Sequence, residues 1–153
     1  GGRVVSTTRG AADPVEARAL RLRPGAEVAR VVRRRTLDER VVMLERTAYA
    51  DWLVDIVVAL PPDEASVVTA LEERYGIITA HAEHTIDVVA ASIADAELLD
   101  VRRTSPLLRV RRTSYAKDGR AIETSDDRYL PGTVSFHASS SSRGGRFERL
   151  GGG

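Results

Sequence analysis

The chain has 153 residues, 42% of them hydrophobic and 29% charged, which suits one soluble globular domain with an ordinary core. Its 23 basic and 22 acidic residues leave a net charge of +1, which excludes a general basic footprint for nucleic acid and makes its arginines local features. It has no cysteine, which excludes disulfides, thiolate nucleophiles and cysteine-based metal sites.

Residues 3–8, RVVSTT, read as a short strand, and the terminus around them has no apolar signal-peptide core. ADPVEARALRLRPG then predicts a helix: Asp13 is the N-cap, Pro14 takes the first position, Glu16 completes a capping box, and Gly25 lies past the end. EVARVVRRRTL alternates, with Val28 and Val32 in phase. After a turn at LDER, VVMLERTAYA is the returning strand. The apolar run WLVDIVVAL is broken by Asp55 and too short to span a bilayer. LPPDEASVVTALEERYG predicts the clearest helix, capped by Asp63, with Val67, Val68, Leu71 and Tyr75 on one face and Gly76 at its end. ITAHAEHTIDVVAA alternates as a strand. SIADAELLDV forms a short helix with Ser92 as cap and Asp95 at the third position, and PLLRVRRTSYAKDGRAIETSDDRYL is a hairpin turning at KDGR. From Ser139 onward the composition predicts a flexible tail. The expected division is therefore a linker with a short strand over 1–13, a domain over 14–138 and a tail over 139–153.

A repeat runs through this order. EARALRLRPGAEVARVVRR aligns with AELLDVRRTSPLLRVRR 79 positions later, setting Ala17 on Ala96, Leu20 on Leu99, Arg30 on Arg109 and Arg33 on Arg112; the hairpins continue at an offset of 80, with Asp38 on Asp118. The unit of short helix, strand, turn and strand occurs twice. It predicts an α+β domain, an antiparallel sheet with helices packed on it and an internal pseudo-twofold.

Few side chains stand out as chemistry. Arg33 and Arg35 are two apart on a strand, so they share a face while Arg34 points to the other. Two guanidiniums fanned from one face suit a phosphate or carboxylate; equally, they are a solvated face paired with nearby acids. Glu45 is either edge-exposed or an acceptor for a hydroxyl or amine in a cavity, and Glu123 has the same two readings. The pair raises acid–base catalysis of the glycosidase kind, which nothing else in the sequence supports. His81, Glu83, His84 and His137 are the metal candidates, but His81 and His84 point to opposite sides of a strand, so a surface role is expected and no metal. There is no glycine-rich phosphate loop, nucleophile elbow or nucleotide fingerprint, and no cofactor is implied.

The repeat, the LEERYG helix ending and the YAKDGRAIETSDDRY hairpin together resemble the effector-sensing (UTRA) domain of GntR-type bacterial transcription regulators, the HutC branch, over about residues 14–137. The resemblance implies a chorismate-lyase-like fold, a homodimer and a pocket for a small effector. It implies that Arg33 and Arg35 hold an anionic group, that Glu45, Glu123 and Tyr129 hold the polar remainder, and that Ser66, near the start of the middle helix, contributes. The first turn, LDERVV, lacks the Gly and Pro usual there. Such regulators carry an N-terminal winged helix, and nothing before residue 14 is long enough to be one. An isolated sensing domain of a longer regulator is expected, acting on DNA only through a domain not present in this chain, and in the cytoplasm. The expected ligand is an acidic polar metabolite: a phosphosugar, an organic acid or an amino-acid derivative. The alternatives are a small-molecule enzyme on the same scaffold and a dimerisation module without a ligand.

Overall fold

The computed structural model describes residues 2–141. Strand β1 (Gly2–Ala11) leads into helix α1 (Pro14–Leu20), and β2 (Glu27–Leu37) and β3 (Arg40–Tyr49) form a hairpin. A 3-10 turn at Asp51–Leu53 opens α2 (Val54–Val58), which is followed by α3 (Val67–Tyr75), β4 (Thr79–Ala90), α4 (Ile93–Leu99), β5 (Pro106–Ala116) and β6 (Ala121–Tyr129). All strand pairs are antiparallel, in the order β1-β2-β3-β6-β5-β4. The sheet is thus two three-stranded units joined at β3 and β6, the arrangement an internal repeat demands. The expected α+β antiparallel architecture is the one observed.

The repeat extends to single residues. Asp13 and Ser92 are both N-caps; Glu16 and Asp95 both complete capping boxes; Arg21 and Asp100 both close their helices in the left-handed conformation. Gly25 and Thr104, equivalent again, both have positive φ. α1 packs Ala17 and Leu20 with Ala48 and Ala121, and α4 packs Leu99 with Leu44, Leu107 and Leu130. Both helices cover the same sheet face. Beneath α4, the fully buried Asp95 meets Arg46 of β3 and Arg128 of β6, each at 2.7 Å. Burial opposes ionisation of Asp95, but the Ser92 amide and the two guanidiniums outweigh it and hold its carboxyl below the ordinary range.

The other face is covered by the 3-10 turn, α2 and α3, whose Leu53, Val54, Val57, Val67 and Leu71 pack on Ala29, Val31, Tyr49 and Ile122. Several expectations change here. The apolar run at residues 52–60, to which the sequence assigned no element, is largely helical; packed against the sheet, it shows no polar stripe to reveal a period. Helix α3 is capped by Ser66, whose Oγ accepts from the Thr69 amide at 3.2 Å. Asp63 instead lies in a turn closed by the Glu64 amide on the Pro61 carbonyl. Tyr75 is exposed, and Ala70 takes its place on the buried face. β1 runs longer than residues 3–8 and forms one edge of the sheet. Of the expected tail, residues 142–153 lie outside the described residues. Among the described residues, no helix is long and apolar enough to cross a membrane.

Candidate functional site

The face beneath α3 carries rows of side chains fixed by strand register. One row reads Arg33, Glu45, Asp127 and Val110 across β2, β3, β6 and β5; the next reads Val31, Thr47, Ser125 and Arg112. These two rows are pseudo-twofold images, which is why Arg33 and Arg112 reach towards the centre from opposite sides. Arg112 was not singled out as a site residue from sequence, although its alignment with Arg33 in the repeat was the available signal.

Between the sheet and the start of α3 lies a cavity of about 180 Å³, lined by Val31, Arg33, Arg35, Glu45, Thr47, Tyr49, Ser66, Val67, Val68, Arg112 and Glu123. It is smaller than the roughly 300 Å³ at which pockets for drug-sized ligands begin, so its occupant is small. A larger hollow of about 470 Å³ between Leu20 and Arg120 is a more open surface feature and lacks converging buried charge. The structure therefore brings Arg33, Arg35, Glu45, Ser66 and Glu123 together. Tyr129 does not line the cavity. It sits opposite Met43, in the same cross-strand row as Arg35 but on β6, with its ring edge-on to Phe136 at 5.7 Å. Burial and the Asp127 and Glu45 carboxylates push its hydroxyl up.

Each charged group is positioned by a neighbour. Arg33 is buried, and its Nη1 donates to the Ala65 carbonyl at 2.6 Å in the loop before α3. Arg35 lies 3.2 Å from Glu45 and remains partly exposed. Arg112 Nη2 donates to Glu123 Oε1 at 2.8 Å, and its Nε has no hydrogen-bond partner among the described residues. Burial opposes its charge, but the Glu123 and Asp127 carboxylates more than offset this, so the guanidinium is held above its ordinary range. Glu123 is 1% exposed, and its Oε2 is likewise unpartnered. Tyr49 is driven far towards its neutral form by burial and then by the Glu123 and Glu45 carboxylates.

The start of α3 adds a further positive element. The amides of the first helical residues have no intrahelical acceptor. Ser66 satisfies Thr69, and Val67 and Val68 of the same first turn line the cavity. The positive end of the helix dipole there favours an anion. Three guanidiniums and a helix N-terminus thus converge with two carboxylates on one small space, where an acid and a hydroxyl or amine can each find a complementary group. The cavity lining includes no histidine: His81, on the edge strand, stacks on Tyr115 at 5.8 Å, and His84 stands opposite Arg112 in register.

Known proteins share this arrangement of sheet and helices. The effector domain of PhnF from Mycobacterium smegmatis is 28% identical and superposes with a TM-score of 0.83 over 93% of this chain and 87% of that one. A GntR-family transcriptional regulator from Enterococcus faecalis is 27% identical, with a TM-score of 0.81 over 92% of this chain and 100% of that one. The C-terminal domain of YurK from Bacillus subtilis, 21% identical with a TM-score of 0.82 over 88% of this chain and 92% of that one, shares the fold. No curated protein sequence matches the chain. The family profile of the UTRA domain matches residues 1–134, nearly all of the described chain. With the two-unit sheet and the α+β architecture of these regulators, that match means that the chain belongs to the UTRA domain family, the effector domains of GntR-type transcriptional regulators.

Proposed function

We propose that the domain senses a small acidic metabolite, such as a phosphosugar, an organic acid or an amino-acid derivative, in the cavity beneath α3. The observation that carries this reading is the convergence of Arg33, Arg35, Arg112 and the start of α3 on one space that also holds Glu45 and Glu123. The arginines and helix amides take the acidic group; the two carboxylates accept from the hydroxyls or amines of the remainder. Tyr129, expected to join them, stands outside the cavity lining, opposite Met43. The ligand contacts both the sheet and the loop holding Ser66, so occupancy changes how α3 sits on the sheet. That shift is the signal available to an attached DNA-binding domain in the cytoplasm.

The assembly we propose is a homodimer. α2 and α3 cover the β1–β2–β3 side of this face, whereas on β4 Ile86 and Val88 are 48% and 67% exposed. They lie opposite Val110 and Leu108 and extend an apolar surface to β4, the last strand of the sheet among the described residues, which a second copy would cover. The runner-up, an enzyme on the same scaffold, draws on the carboxylates in the cavity.

A thermal-shift screen of phosphosugars, organic acids and amino acids, followed by calorimetry of any hit, tests the reading. Saturable binding that returns the ligand unchanged is the expected result. Turnover would favour the enzyme, and no acidic hit in an otherwise folded protein would favour a dimerisation module.

A further inference from the structure

Asp127 does not line the cavity, yet it stands directly opposite Glu45, which does, in the β3–β6 ladder. Cross-strand partners share a face. Asp127 is 2% exposed, and its Oδ1 has no hydrogen-bond partner among the described residues. Ser125 Oγ donates to its Oδ2 at 3.4 Å, long for a hydroxyl–carboxylate bond. The charged and titratable groups around it are Glu45 and Tyr49 on β3, Glu123 and Tyr129 on β6, Arg112 on β5, and Arg33 and Arg35 farther off on β2. Like charges directly opposite in an antiparallel pair are unfavourable, and a buried carboxyl escapes the conflict by keeping its proton.

We infer, resting on the reading of the cavity as an acidic-effector site, that Asp127 is a specificity-determining residue: protonated, it lets the cavity hold an anion; ionised, it opposes one. The charge change falls near neutrality. Burial drives the carboxyl up, Arg112 opposes this, and Glu45 and Glu123 reinforce it, giving about 7. An anion entering beside Arg33 and Arg35 raises it further, so binding draws in a proton where Asp127 would otherwise be ionised. Affinity for an acid therefore falls as pH rises through neutrality.

Sulfate is the probe, because it does not titrate in this range. Calorimetry from pH 6 to pH 8 is expected to show sulfate binding weakening by up to roughly tenfold, the most that one proton with a midpoint of about 7 allows across that window. Asp127→Asn should bind nearly equally at both ends. His84 lies opposite Arg112 in register, and His84→Gln should keep the wild-type pH dependence, which separates Asp127 from histidine titration. A ligand-free measurement stands beside these: carboxyl carbon NMR of Asp127 should show a midpoint near neutrality that drops in Glu45→Gln. It keeps the test decisive even if Asp127→Asn does not fold. Saturable sulfate binding with equal affinity at pH 6 and 8, or with the same slope in Asp127→Asn, overturns the inference and leaves the anion site standing. An Asp127 midpoint below about 5 also overturns it, the range of an ordinary carboxyl. No saturable sulfate binding at any pH would overturn the acidic-effector reading, and this inference with it.

Discussion

At the scale of single residues, Arg35 and Glu123 share a cavity but differ in what else depends on them. Arg35 is partly exposed and touches Glu45 at 3.2 Å. Arg35→Ala should weaken an acidic ligand more than tenfold, by roughly 1.5–3 kcal/mol for the lost charge-assisted contacts, with little change in melting temperature. Calorimetry with a screened hit reads the first and thermal melts the second. From the sequence Glu123 reads as edge-exposed or as an acceptor in a cavity, and neither reading ties it to stability. The structure seals it against Arg112. Glu123→Gln strips the carboxylate from a half-buried guanidinium and should lower stability by about 2 kcal/mol, measurable in urea melts, whatever it does to binding. Asp127→Asn should have the opposite sign. Because the folded carboxyl is raised to about 7, the native state binds protons more tightly than the unfolded chain. The wild type then loses stability as pH rises from about 4 to 7, and the cost is level above that. The advantage of Asp127→Asn should grow across that window and reach a few kcal/mol at most at pH 8. A constant difference between pH 4 and 8 would contradict this.

At the scale of elements, two choices of the chain are open to test. Asp63 and Ser66 both suit an N-cap, but the turn closed at Pro61–Glu64 removes Asp63 from the helix axis, so the cap falls to Ser66. Ser66→Ala should cost about 1 kcal/mol by loss of the cap, and Asp63→Ala close to nothing; chemical denaturation distinguishes them, and the reverse order would reject the assignment. The first hairpin turns through Asp38 and Glu39 alone, both with positive φ of 50° and 64°. Such two-residue turns prefer Asn-Gly or Asp-Gly. Glu39→Gly should stabilise by up to about 1 kcal/mol, since relief of left-handed strain exceeds the added freedom of the unfolded chain. The second hairpin already places Gly119, with φ of 89°, at its turn.

At the scale of the molecule, the sheet has two unequal halves. One is roofed by α2 and α3; the other ends in β4 with Ile86 and Val88 uncovered. A homodimer that buries this surface should appear in light scattering at tens of micromolar, and Val88→Glu should shift it towards the monomer without unfolding it. A wild-type monomeric mass would remove the dimer from the proposed function.

What the sequence by itself determined is local or repeated. Asp13 with Glu16 and Ser92 with Asp95 announce two helix starts because capping needs only four consecutive residues. Alternation locates β2 and β4, KDGR the second turn, and the 79-residue offset the two-unit sheet. Arg33 and Arg35 share a face because strand geometry requires it, and a resemblance of order and spacing named the family. The tertiary structure decided what depends on distant segments meeting. Arg112 enters the cavity only because β5 closes the sheet opposite β2. Asp127 becomes a buried acid only because β6 lies against β3 and sets it facing Glu45. Tyr129 shares its cross-strand row with Arg35 yet lies outside the cavity that Arg35 lines, and no count along a single strand reveals which members of a row reach it. Charge in a sequence is additive, but its effect in a fold depends on burial and neighbours, and those are properties of the packed sheet alone.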